Sequence, residues 1–279
     1  LGLEKRLVAT ALGPLSILSA GDGPPLLLIA GLGGRGAFWS RFQGAAARRF
    51  RAITFDHPGC GDSPPARNLP STIDLSMHVR ALLDALEIER ASIVGHSMGG
   101  AIAQHLAVAA PDRVEKLVLS ATWAGPDAWF SALFDARLEI LEKLGPAAYL
   151  QNGSALGNPG WWAQENFEET NKALATRLAA FPGMELERER IAAVVNHDAR
   201  SSLSAIRAPT LVVTAQDDAI TPTGFAVELA ERIPNARLKI LAKGGHFAPQ
   251  TVPNRYQTAV LQFLGADASG STKTSRQKG

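Results

Sequence analysis

The chain alternates short unbroken apolar runs with amphipathic stretches over most of its length. Residues 26–30, Leu-Leu-Leu-Ile-Ala, are apolar without a polar partner position, the pattern of a strand buried on both faces. A Gly-rich turn follows, then a helix predicted over 38–50 and a strand over 52–55 that ends at Asp56. In residues 72–86, Ile73, Leu75, Val79, Leu82, Leu83 and Leu86 recur at helical spacing. A third strand is predicted over 91–94, a helix over 99–110 that stops before Pro111, and a fourth strand over 117–120. Residues 123–204 then show helical segments and no strand pattern. The alternation resumes with a strand over 210–214, a helix over 222–233, a strand over 237–241 and a helix over 253–264. Strand–helix alternation predicts an α/β fold with a mostly parallel, doubly wound sheet. The core is assigned to residues 1–122 and 205–265, with a helical cap inserted over 123–204. Ahead of it, residues 7–11 and 15–19 flank Gly13-Pro14 and read as a hairpin. Lys5 and Arg6 before an apolar run give a faint signal-peptide pattern, but Gly-Pro interrupts that run.

Composition narrows the class. The chain has 279 residues, 46% hydrophobic, with a net charge of +2. Lys273, Arg276 and Lys278 against Asp267 account for that excess (three minus one), so the rest is near neutral and offers no nucleic-acid surface. Residues 266–279 are polar and aperiodic, and are expected to be disordered. Cys60 is the single cysteine, which leaves no disulfide framework and no cysteine-based metal site. No apolar run is long enough to span a bilayer. The expected setting is cytoplasmic, with a small-molecule substrate, no membrane or nucleic-acid partner and no cofactor. Oligomeric state stays open, a homodimer being one option.

The chemistry concentrates at Gly95-His96-Ser97-Met98-Gly99, between a strand and a helix. G-x-S-x-G in that setting is a nucleophile elbow, a turn so tight that the flanking positions must be small. It lifts Ser97 above the sheet edge, beside the Met98 amide at a helix N-terminus. A serine hydroxyl needs a base, and a base needs a carboxylate to orient it. His246, in Gly244-Gly245-His246-Phe247 after the last strand, is the best placed of six histidines. His57 is a weak second choice. His96 is expected to point away from the nucleophile, and His78, His105 and His197 lie elsewhere. The acid follows the strand at 210–214, where Asp217 and Asp218 are adjacent. Asp127 is the fallback.

These markers resemble the α/β-hydrolase family: Ala30-Gly31-Leu32-Gly33-Gly34, Asp56-His57-Pro58-Gly59-Cys60-Gly61-Asp62-Ser63, the elbow, Asp218 with Pro222, and Gly245-His246. The resemblance runs to Gly265. It implies a Ser97–His246–Asp218 triad, because Ala215, Asp218 and Pro222 fit the family spacing and Asp217 falls one place early. Asp217 is then a turn residue bonded to its own backbone. The resemblance also implies an oxyanion hole from the amides of Leu32 and Met98. Ala30 stands where family members often carry histidine, which removes a side chain but leaves the Leu32 amide. More loosely, the cap resembles small-acid hydrolases such as 3-oxoadipate enol-lactonase and aminoacrylate hydrolase. That suggests ester, lactone or enamine-type substrates, with general carboxylesterase as the alternative. Trp123, Trp129, Phe130, Trp161 and Trp162 are the candidate pocket lining, and Arg35 and Arg137 the candidates for holding an anionic substrate.

A rival reading comes from Gly31-Leu32-Gly33-Gly34-Arg35-Gly36, which matches G-x-G-x-x-G, with Asp56 near the position of a ribose-binding acid. It predicts a nicotinamide-dependent oxidoreductase, but it leaves the elbow, the late aspartate and the late Gly-His without a role.

Overall fold

A computed structural model describes residues 2–66 and 71–265. Eight strands form one sheet: β1 (Leu3–Val8), β2 (Leu15–Ala20), β3 (Pro25–Ile29), β4 (Arg51–Phe55), β5 (Ala91–His96), β6 (Val114–Ser120), β7 (Thr210–Ala215) and β8 (Arg237–Leu241), in the order β1-β2-β4-β3-β5-β6-β7-β8. β1 pairs with β2, and β2 with β4, antiparallel; the remaining pairs are parallel. The helices are α1 (Ser40–Ala46), α2 (Thr72–Ala85), α3 (Met98–Ala109), α4 (Ala128–Gly157), α5 (Gly160–Glu165), α6 (Phe167–Ala179), α7 (Met184–Val195), α8 (Thr223–Arg232), α9 (Ala248–Thr251) and α10 (Pro253–Gly265). No described helix is long and apolar enough to cross a membrane.

The unbroken apolar runs have the expected consequence. Successive residues of a strand point to opposite faces, so a run without polar positions must bury both. Leu27, Ile29, Ile53 and Ile93 join one apolar cluster with side chains from α2, α3 and α8. Leu26, Leu28, Ala52 and Val94 join a second with α1 and α10. The first cluster continues into α4 and α7 through Phe130, Phe134, Tyr149, Ile191 and Val194.

Several boundaries differ from the pattern-based reading. The hairpin forms, but its first strand ends at Val8, because Thr10 turns the chain by accepting from the Leu12 amide and donating to Gly13 O. The helix expected over 38–50 is confined to α1, since residues 36–39 wind as a tighter 3₁₀ turn. β5 runs on to His96, which pairs with Ser120, so the strand carries the first two residues of the elbow and ends next to Ser97. Within residues 123–204 all regular structure is helical, as expected. α4 is broken at Gly145 (φ 82°) before Pro146, whose missing N–H and ring cannot continue a helix. The expected tail at 266–279 lies outside the described residues.

Candidate active site

The elbow is built by close packing. Ser97 takes φ 54°, ψ −123°, a conformation costing on the order of 1–3 kcal/mol. A Cβ on Gly95 would lie 2.3 Å from Gly99 O, and one on Gly99 2.3 Å from Ile29 O. Neither position admits a side chain. The backbone is held from outside as well: Ser97 N–H donates to Ser120 O (2.8 Å), and Thr122 Oγ1 donates to Ser97 O (2.8 Å). Met98 is the first residue of α3, so its N–H faces outward with no partner in the helix. Gly31 lies alongside; a Cβ there would sit 3.1 Å from Ser97 Cβ and 3.6 Å from its Oγ.

His246 and Asp218 face each other in a buried setting. His246 Nδ1 is 3.0 Å from Asp218 Oδ2 and 3.1 Å from Oδ1. The carboxylate also accepts from the amides of Ile220 and Thr221, each at 2.9 Å, and from Thr221 Oγ1 at 2.8 Å. A buried carboxylate with that many donors has a fixed orientation. His96 joins Ser97 to this pair: its ring stacks on Phe38 (centroids 4.6 Å apart) and lies 4.9 Å from the His246 ring. Burial, then the nearby His246, pushes the His96 imidazole well below the usual histidine range, so it stays neutral.

Asp217 does not bond its own backbone. Its Oδ1 accepts from Gly244 N–H (2.7 Å) and Gly245 N–H (2.8 Å), and its Oδ2 accepts from the indole N–H of Trp161 (3.2 Å). Gly244 and Gly245 have φ of 151° and 62°, the left-handed half of the map that glycine tolerates best. The adjacent acids therefore hold one segment twice, Asp217 by the backbone before His246 and Asp218 by its ring. The same loop also meets α4, through Phe247 N–H to Gly157 O at 3.1 Å.

The candidate lining scatters. Trp123 and Phe130 are fully buried in the core, their rings 4.7 Å apart, and Phe130 also meets Phe225 of α8 at 5.6 Å. Trp129, one residue away on the opposite face, is 48% exposed. It borders a separate cleft of about 350 Å³ with Asp127, Arg200, Pro222, Phe225 and Glu228. Trp161 is tied to Asp217 beneath Lys243, whose Nζ lies 3.9 Å over its ring. Trp162 is buried in α5. Asp127 is spent capping α4, accepting from Phe130 N–H at 2.7 Å.

The arginines also move. Arg35 projects from the loop after β3, where its charge acts on Asp62 and Cys60. Arg137 is buried within the helical segment, over the Tyr149 ring at 4.6 Å and donating to Asn152 at 3.2 Å; Tyr149 donates to the buried Glu187. The cation that does reach the elbow's surroundings is Arg190, on α7. Its Nε donates to Leu32 O (2.7 Å), and its Nη2 approaches Gly31 O (3.4 Å) and His57 Nδ1 (3.3 Å). Pattern reading passes over it because it stands in an ordinary charged helical run, Glu-Leu-Glu-Arg-Glu-Arg.

His57 loses its standing as an alternative base. Its Nδ1 faces a donor that cannot accept, so the proton sits on Nε2, and burial together with Arg190 pushes it well below the usual histidine range. The dinucleotide reading loses its acid. Asp56 accepts from Gly36 N–H (2.8 Å) and Asp62 N–H (3.0 Å), which closes the turn, and Gly31 packs on Ser97 rather than on open space. Among the described residues no three His, Cys, Asp or Glu side chains gather as a metal site.

A sheet of this order with an elbow after β5, an acid after β7 and a histidine after β8 defines a hydrolase class. Comparison with known proteins agrees. A family profile described as alpha/beta hydrolase fold matches residues 24–250, and the chain belongs to that family. It is 37% identical over 251 residues to a Caulobacter sp. (strain K31) protein named "Putative carbamate hydrolase RutD", covering 90% of this chain and 94% of that one. A protein of the same name from Azorhizobium caulinodans is 36% identical over 245 residues, 88% and 92% of the two chains. Among solved structures, a hydrolase from Pseudomonas aeruginosa PA01 superposes with a TM-score of 0.80 at 30% identity, covering 94% of this chain and 99% of that one. The enol-lactonase from Burkholderia xenovorans LB400 shares the fold, with a TM-score of 0.83 at 24% identity, over 94% and 100%.

Proposed function

We propose that the protein is a serine hydrolase of small acyl compounds, cleaving a carbamate or related C–N acyl bond or an ester or lactone C–O bond through an acyl-enzyme on Ser97. The observations that carry this are the buried His246–Asp218 pair, whose imidazole lies 4.9 Å from the ring of His96, and, next to His96 in the chain, a strained Ser97 on an elbow that admits no side chain at Gly95 or Gly99. Ser97 Oγ attacks the substrate carbonyl while His246 Nε2 takes its proton. Asp218 holds the Nδ1 proton and stabilises the imidazolium. The carbonyl oxygen becomes an oxyanion, received by the amides of Leu32 and Met98. Collapse breaks the acyl–leaving-group bond, and His246 returns the proton to the departing amine or alcohol. Water, deprotonated by the same histidine, then releases the acid and restores Ser97. The helices from α4 to α7 serve as the cap over the site. The carbamate class is favoured by the name shared by relatives that match nearly the whole chain.

The test is hydrolysis of a panel of small carbamates, p-nitrophenyl esters and enol-lactones by the protein and by Ser97→Ala. Ser97→Ala should lower kcat/KM by about four to six orders of magnitude. A panel with no substrate turned over, or an alanine variant as fast as its parent, would sink the assignment.

A further inference from the structure

We infer that Arg190 is a positioning residue for the oxyanion hole, delivered to it by α7. The inference rests on the serine-hydrolase reading and specifies what holds the Leu32 amide in place.

The amide in question belongs to the Gly31–Leu32 peptide. In a trans peptide the C=O and N–H point in opposite directions, so fixing one fixes the other. Gly31 O accepts from Gly34 N–H at 2.9 Å and has Arg190 Nη2 at 3.4 Å. The next peptide is pinned more tightly, by Arg190 Nε to Leu32 O at 2.7 Å. Arg190 therefore grips the peptides on both sides of the Leu32 Cα. Drawing these carbonyls toward the guanidinium turns the Leu32 N–H the other way. Gly31 itself is packed against Ser97. A cation on the carbonyl end of a peptide also polarises it, which strengthens the N–H as a donor.

The surroundings are arranged to allow this approach. Arg190 is 2% exposed, and none of the ion pairs among the described residues involves it. Its Nη1 has no hydrogen-bond partner. Burying a cation without a counter-ion is costly, and developing negative charge on the substrate oxygen would offset that cost. Gly34, at φ 64°, makes room: a Cβ there would lie 2.7 Å from Arg190 Nη2. His57 Nδ1 accepts from Nη2, and the His57 amide donates to Gly34 O at 2.7 Å, so the guanidinium is steadied from the β4 side too. Arg190 stands on a helix of the inserted segment, so the hole is complete only while α7 is seated on the loop after β3.

The experiment uses p-nitrophenyl acetate, which carries no anion that an arginine could bind as substrate. Parent, Arg190→Gln, Arg190→Lys, Arg190→Ala and Ser97→Ala are compared for kcat, KM and inhibition by phenylboronic acid, whose tetrahedral serine adduct places an oxygen in the hole. Arg190→Gln should lower kcat by about 10- to 100-fold with KM within about threefold, somewhat less than loss of a whole oxyanion donor. Boronate affinity should fall in parallel. Arg190→Lys, which tests the point where glutamine prevents folding, should be intermediate, and guanidinium ion should partly restore Arg190→Ala. Unchanged kcat in Arg190→Gln, with Ser97→Ala inactive, overturns the inference and leaves the hydrolase reading standing. A rise in KM alone, or a fall in kcat without loss of boronate affinity, also overturns it. A parent whose ester hydrolysis does not depend on Ser97 removes both readings.

Discussion

The sheet and the helical segment inserted after β6 are built on different principles. In the sheet, β5 is buried along its whole length and β3 along all but its first residue, and the residues that face the site emerge from turns with no room to move. In the insertion, α6 has no buried residue at all, and the apolar packing of α4 and α7 through Phe134, Tyr149, Ile191 and Val194 is joined by polar ties, Arg137 over Tyr149 and Tyr149 to Glu187. The insertion also makes single polar contacts toward the site, Arg190 to the loop after β3 at one end, and Gly157 and Trp161 to the histidine loop and Asp217 at the other, where Gly157 and Pro159 also pack on Phe247 and Gly245. Apolar packing is non-directional and fixes a scaffold. Hydrogen bonds to loop backbone are directional and fix the orientation of particular peptides. The difference suggests a division of labour in which the sheet supplies the reacting groups and the insertion trims their angles.

Changes in the sheet's own groups should then cost most. On the proposed mechanism, Asp218→Asn keeps the shape and removes the carboxylate that would support the imidazolium, and should lower kcat by about three to four orders of magnitude, by analogy with serine-protease triads. Steady-state kinetics on the best substrate of the panel checks it. A loss below tenfold would move the acid elsewhere and break the comparison at its centre.

A smaller loss is expected at the joint between the two regions. Asp217→Ala removes the acceptor of the Gly244 and Gly245 amides, while Trp161→Phe removes one donor from the insertion side. The first should lower kcat by about 10- to 100-fold, since hydrogen bonds to a charged acceptor contribute about 1.5–3 kcal/mol. The second should cost about two- to fivefold, and the double variant should be less than additive because both act on one carboxylate. Full additivity would show that the insertion does not act through Asp217.

The smallest effect is on stability. Burial holds His57 and His96 well below the usual histidine range, and pushes His197, beside His105 and Thr72, down to about 3. These groups are neutral in the fold and become protonated in the unfolded chain below about pH 6.5. Their contribution is complete above that pH and is lost as pH falls from it toward the folded-state values. Between pH 7 and pH 6 the loss should be less than about 1 kcal/mol per histidine, steepening below. Urea unfolding across that range measures it, and constant stability from pH 7 to 5 would contradict it.

How much of this could be read from the chain depends on where the constraint lies. Gly95 and Gly99 are legible because a local turn excludes any side chain, and a local exclusion is written in the residue type. The strands were legible because a surface buried on both faces tolerates no polar position. The resemblance to the family spacing singled out Asp218 over Asp217, and it is the Asp218 carboxylate that lies against His246 Nδ1. The role of Asp217 was not legible: its partners, Gly244, Gly245 and Trp161, are brought in by β8 and α5. The tryptophans misled because an aromatic ring suits a core, a clip or a pocket equally well. Trp123 and Trp129 are six residues apart, yet one is buried and the other exposed.

By itself the sequence determined the period of each element, the order of the sheet's chemistry and the elbow, because all three follow from local sterics and from the burial of apolar runs. Only the tertiary structure decided which charges matter. Arg190 is one cation in a helical run of alternating charge, and it becomes singular when α7 sets it against Leu32 O and Gly31 O, about 160 residues away in the chain. Long-range contacts of this kind depend on how an inserted segment folds back, and no nearby residue type records that.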